Sequence, residues 1–80
     1  MAQTVLIVDD DPAQRRLLQS VVGAQGYAAL TAQDGVEAVD ILSGSKGRSV
    51  DVVLLDLVMP SKTGIEVMAE IRPERPTLPF

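Results

Sequence analysis

Eighty residues suffice for one small domain, and 46% hydrophobic content is too apolar for a disordered tail. The chain holds no Cys and no His, which excludes disulfides, zinc sites, thiol chemistry and His-based triads, so any metal must be a hard cation held by oxygen. A net charge of -4, a basic run no longer than Arg15-Arg16, and Tyr27 and Phe80 as the only aromatics exclude the basic face and stacking platform of a nucleic-acid binder.

Residues 4–8 (TVLIV) form a short, β-branched, wholly apolar run, which fits a strand covered on both faces of a parallel sheet. The run is too short for a signal peptide and leads straight into three acids, and no stretch approaches a transmembrane length; a cytoplasmic location is the expectation. Asp11 suits a helix N-cap and Pro12 the first helical position. Ala13, Leu17, Leu18, Val21 and Val22 then recur at helical spacing, with Gln14, Arg15, Gln19 and Ser20 on the other side. Gly23 and Gly26 close that helix.

Residues 27–32 (YAALTA) read as a weaker strand. Asp34 and Glu37 form a capping-box pattern ahead of a short helix carrying Val36, Val39, Ile41 and Leu42. Residues 44–49 read as a polar loop. Residues 50–57 (VDVVLLDL) are the strongest strand, with Asp51 at its solvated start. After the loop 58–62, Thr63 and Glu66 repeat the capping-box pattern, and Ile65, Met68 and Ile71 mark the inner side of a third helix. Pro73 and Pro76 stop it. Residues 77–80 look like the start of a further strand, where Pro is tolerated. The order β-α-β-α-β-α predicts an α/β fold with a doubly wound parallel sheet and right-handed crossovers.

In such sheets ligands bind at the carboxyl ends of the strands, near the point where strand order reverses. The first strand runs out at Asp9 and Asp10, the third at Asp56. If these strands are neighbours, three carboxylates converge at one edge. Their mutual repulsion is relieved by a divalent cation, and Mg²⁺ is held by one or two carboxylates with phosphate oxygens and water. A carboxylate beside that ion is placed to attack a phosphoryl group and form an acyl phosphate. This assigns Asp56 as nucleophile, Asp10 as direct metal ligand and Asp9 as a ligand acting through water. Asp11 and Asp34 read as helix caps, Asp40 as a surface residue.

The segments VLIVDDDPAQRRLL, DGVEAV and DVVLLDLVMPSKTGIEV resemble the receiver domain of two-component response regulators, along nearly the whole chain. The overall style is similar to receivers of nitrogen-regulation-type transcriptional activators. The resemblance implies a flavodoxin-like fold with strand order 2-1-3-4-5, a phosphoryl group passed to Asp56 from a sensor histidine kinase or phosphotransfer protein, and Mg²⁺ bound by Asp9, Asp10 and Asp56. It further implies that the backbone carbonyl of Val58 completes the metal ligands and that Met59 and Pro60 shape the active-site loop. Such a chain is a phosphoacceptor signalling module rather than a turnover enzyme.

The family pattern continues beyond residue 80. Residues 1–80 therefore read as an incomplete receiver, cut after its third helix with only the start of a fourth strand. The Ser/Thr after strand four and the Lys and aromatic residue of strand five fall outside it. The competing reading is a non-switching fragment that binds partners or is inactive. In either reading, an 80-residue receiver with order 2-1-3 leaves the third strand at an open edge that invites pairing with a second copy. A haloacid-dehalogenase-type phosphatase is rejected, because its second Asp falls at Val58. A phosphate-binding loop is rejected because residues 44–47 lack its spacing.

Overall fold

The computed structural model describes residues 3–55, 64–73, 75 and 77–80. The elements run β1 (Thr4–Val8), α1 (Pro12–Ala24), β2 (Ala28–Ala32), α2 (Gly35–Ser43), a short 3-10 helix (Ser45–Ser49), β3 (Val50–Leu55) and α3 (Gly64–Ile71). The strands form one parallel sheet in the order β2-β1-β3, the order expected for the first half of a doubly wound fold. The last residues expected in the third strand, the loop that follows it and Thr63 of the second capping pattern lie outside the described residues.

β1 is the central strand, and its side chains alternate between two cores. Leu6 and Val8 point to one face, where they meet Ala38 and Leu42 of α2, Val67 and Ile71 of α3, and Val53 of β3. Val5 and Ile7 point to the other face and pack against Val22 of α1, with Leu18 and Val52 alongside. Burial on both faces explains the uninterrupted apolar run of β1. Parallel neighbours also require crossover connections, which α1 and α2 supply.

The helix inner faces differ in part from the periodic reading. In α1 only Val22 is buried and Leu18 half-buried, while Leu17 and Val21 are 57% and 51% exposed. The apolar stripe of α1 is wider than the surface it covers. In α3 the buried pair is Val67 and Ile71, spaced four apart, and Ile65 is 69% exposed. Val36 of α2 is likewise exposed, and Ala38 faces inward beside the expected Leu42. The residues 44–49, expected as loop, wind mostly into the 3-10 helix.

Two glycines have a geometric reason. Gly26, just past α1, sits at φ 89°, a region that favours a residue without Cβ, and turns the chain into β2. Gly47 is packed so that a Cβ would meet the carbonyl oxygens of Leu42 and Ile41. Beyond α3, residues 77–80 run beside β3: the Val53 amide donates to the Pro79 carbonyl at 3.0 Å, and Leu78 is buried in the larger core. The edge of β3, expected to be open, is therefore covered at Val53. Among the described residues no helix is long and apolar enough to cross a membrane.

Candidate functional site

β1 and β3 finish level with each other. Val8 is the register partner of Leu55, so the residues just before Asp9 and Asp56 leave the sheet side by side at its carboxyl edge. Asp56, Val58, Met59 and Pro60, the expected acceptor, carbonyl ligand and loop, lie outside the described residues. The structure places Asp9, Asp10 and the frame around them.

Asp9 is 8% exposed and is the buried charged residue of the described chain. Its amide donates to the Ala32 carbonyl at the end of β2, 3.1 Å away. Its Oδ1 accepts the Asp11 amide at 3.0 Å, and its own carbonyl accepts from Nη1 of Arg15 at 2.9 Å. Burying a carboxylate is expensive unless its oxygens are satisfied. Here one oxygen is engaged by the loop's own backbone. Asp10 is exposed at the same edge.

Asp11 does what its place before Pro12 foretold. It is the N-cap of α1, with Oδ1 accepting from the Ala13 amide at 2.9 Å and the Gln14 amide at 3.4 Å. Asp34 caps α2 by accepting the Glu37 amide at 2.8 Å. Asp40 is exposed. Asp51, expected to be merely solvated, accepts the Thr4 amide at 2.7 Å through Oδ2. The register between β1 and β3 slips there, Thr4 pairing with Val50 and Val5 with Val52, so Asp51 is the extra residue. Its carboxylate supplies an acceptor at the irregularity, a role that only the register reveals.

An open cleft lies over this edge, lined by Asp9, Asp10, Asp11, Gln14, Leu18 and Leu54. Gln14 and Arg15 were read from the sequence only as the polar side of α1. The structure brings both to the acidic loop. Their signal in the sequence was position alone: the first turn of a helix that starts directly after the acids. Among the described residues no three carboxylates assemble as a metal-ligand set. The donors that Asp9 and Asp10 offer are hard oxygens, which suit Mg²⁺ and not a soft metal.

An open parallel α/β sheet with an acidic loop at the carboxyl end of its central strand defines a doubly wound domain whose ligand edge is anionic. The sequence profile of the response regulator receiver domain matches residues 5–80, and the chain belongs to that family. The receiver resemblance noted in the sequence is thereby confirmed.

The sensor histidine kinase RcsC of Salmonella typhimurium is 43% identical over 75 residues, which cover 94% of this chain and 8% of that protein. The response regulator MprA of Mycobacterium sp. (strain KMS) is 39% identical over 80 residues, covering 100% of this chain and 34% of that one. Among solved structures, the response regulator TrrA of Thermotoga maritima, in complex with Mg²⁺-BeF, superposes with a TM-score of 0.82 at 39% identity, over 95% of this chain and 63% of that one. The chemotaxis response regulator CheY4 of Vibrio cholerae superposes with a TM-score of 0.89 at 30% identity, over 99% of this chain and 65% of that one. The chain thus spans less than two thirds of the length of each of these relatives.

Proposed function

We propose that this chain is the phosphoacceptor module of a two-component phosphorelay, with Asp56 taking a phosphoryl group from the phosphohistidine of a sensor histidine kinase or phosphotransfer protein. The observation that carries this reading is the level ending of β1 and β3, Val8 opposite Leu55, which starts the acidic loop and the Asp56 segment at one edge of the sheet. An Asp56 carboxylate oxygen attacks phosphorus, the P–N bond to the imidazole breaks, the ring nitrogen keeps the electron pair and takes a proton, and an acyl phosphate forms on Asp56. Asp9, held at three points, Asp10, exposed at the edge, and Asp56 itself are the side chains that would hold Mg²⁺, with the Val58 carbonyl completing the set. When bound, Mg²⁺ neutralises charge on the transferring phosphoryl oxygens. Met59 and Pro60 shape the loop that follows the acceptor. The chain accepts one group and is not a turnover enzyme. Its setting is the cytoplasm, where ATP charges such kinases.

The test is incubation with a small phosphodonor, acetyl phosphate, and Mg²⁺, followed by intact-mass measurement. A gain of one phosphoryl group that Asp56→Asn abolishes is the expected result. Wild-type chain that gains no mass, or gains it equally as Asp56→Asn, sinks the reading; the first of these outcomes is what a partner-binding chain without phosphoacceptor activity would give.

A further inference from the structure

We propose that Arg15 is a positioning residue for the acidic loop, holding Asp9 and Asp10 in the arrangement that receives the divalent cation; this rests on the phosphoacceptor reading above. The argument starts from how the loop is fastened. It spans only Asp9, Asp10 and Asp11, three adjacent acids whose charges repel one another. Arg15 grips it at both ends. Its backbone amide donates to the Asp11 carbonyl at 2.9 Å, the first hydrogen bond of α1. Its Nη1 reaches back over that first turn and donates to the Asp9 carbonyl at 2.9 Å.

That carbonyl lies just past the end of β1, one residue beyond Val8, which pairs with Leu55. A backbone acceptor beside a buried carboxylate needs a partner, and among the described residues the guanidinium supplies it. The Asp9 carbonyl belongs to the peptide that leads into Asp10. Fixing its direction fixes where Asp10 leaves the loop, while the Asp9 amide is pinned to Ala32 and its Oδ1 to the Asp11 amide. One arginine thereby sets the spacing of two carboxylates without touching the cation, the part that outer-shell partners play in metal sites.

Electrostatics gives the proposal a sign. Arg15 is a positive charge near a cation site, so by charge alone its removal strengthens Mg²⁺ binding. Positioning predicts the opposite. The experiment is a Mg²⁺ titration of the 80-residue chain followed by amide NMR, at fixed ionic strength, for wild type, Arg15→Met and Arg15→Lys. Thermal unfolding is measured without Mg²⁺ in parallel. The expected result is about tenfold weaker Mg²⁺ binding for Arg15→Met, little change in metal-free unfolding, displaced Asp10 and Asp11 amide shifts, and recovery of binding in Arg15→Lys, which keeps the charge and a donor.

Equal or tighter binding in Arg15→Met overturns the proposal. So does a loss of binding that tracks a loss of metal-free stability and is not restored by Arg15→Lys. Should Arg15→Met not fold, Arg15→Gln, whose amide stops short of the Asp9 carbonyl, is read by the same criteria. Failure of the wild type to respond to Mg²⁺ at all overturns the metal site itself, and is distinguishable from failure of Arg15 alone.

Discussion

Asp9 and Asp11 lie two residues apart and do different work, and the difference is set by what each oxygen faces. Asp11 is spent on the amides of Ala13 and Gln14 as the cap of α1, whereas Asp9 is buried with its backbone fixed at both ends. Asp11→Ala is expected to lower stability by about 1 kcal/mol, the usual loss of a cap. It leaves Mg²⁺ affinity within about twofold, far short of the tenfold change of a positioning partner. Urea unfolding and the Mg²⁺ titration together check this, and a large affinity loss would move Asp11 into the ligand set. The cap was legible in the sequence, because an acid before Pro12 is a local pattern; the burial of Asp9 and the bonds that fix its backbone were not. Nor were the bonds of Arg15 and Asp51. Each joins residues through the register or through a side chain doubling back, which periodicity does not encode.

At the scale of elements, the strand and helix order was readable from alternation and caps, but the faces of the helices were not wholly so. A short helix over a narrow sheet buries one line of residues, Val67 and Ile71 in α3, and leaves the rest of its apolar stripe exposed. The exit from α3 is a further device that pattern reading missed. Arg75 donates from Nη2 to the Val50 carbonyl at 3.0 Å and from Nη1 to the Gly47 carbonyl, joining the end of α3 to the 3-10 helix and the start of β3. Arg72 donates to the Leu78 carbonyl at 2.8 Å and lies 5.1 Å from the centre of the Phe80 ring. Together they lay residues 77–80 against β3. Arg75→Met is expected to lower stability by about 1–2 kcal/mol, since it removes charge-assisted bonds from partly buried carbonyls. It should also lower the hydrogen-exchange protection of the Val53 amide, whose acceptor is Pro79. Unchanged protection at Val53 would separate the arginine from the placement of that segment.

At the scale of the molecule, the two cores are unequal, and the inequality predicts how the chain behaves in solution. Among the described residues, the face under α2 and α3 buries ten, while the face under α1 buries three. On the weaker side Val21, Tyr27 and Leu54 stay exposed around a groove floored by Val5 and Val52. Apolar surface gathered in this way favours contact with another molecule. The Val53 amide of the β3 edge is already engaged by Pro79, so the α1 flank is the stronger route to self-association, in contrast to the strand edge that the sequence suggested. The chain is expected to show concentration-dependent association in sedimentation velocity, and Val21→Glu, which puts a charge in the groove on a helix it does not disfavour, should return it to monomer. Association that survives Val21→Glu would place the contact on the strand edge, where pairing of backbones is indifferent to a side chain on α1. A wild type that stays monomeric at every concentration would mean that three strands and three helices bury enough to stand alone, and the expected weakness of the α1 face would be wrong.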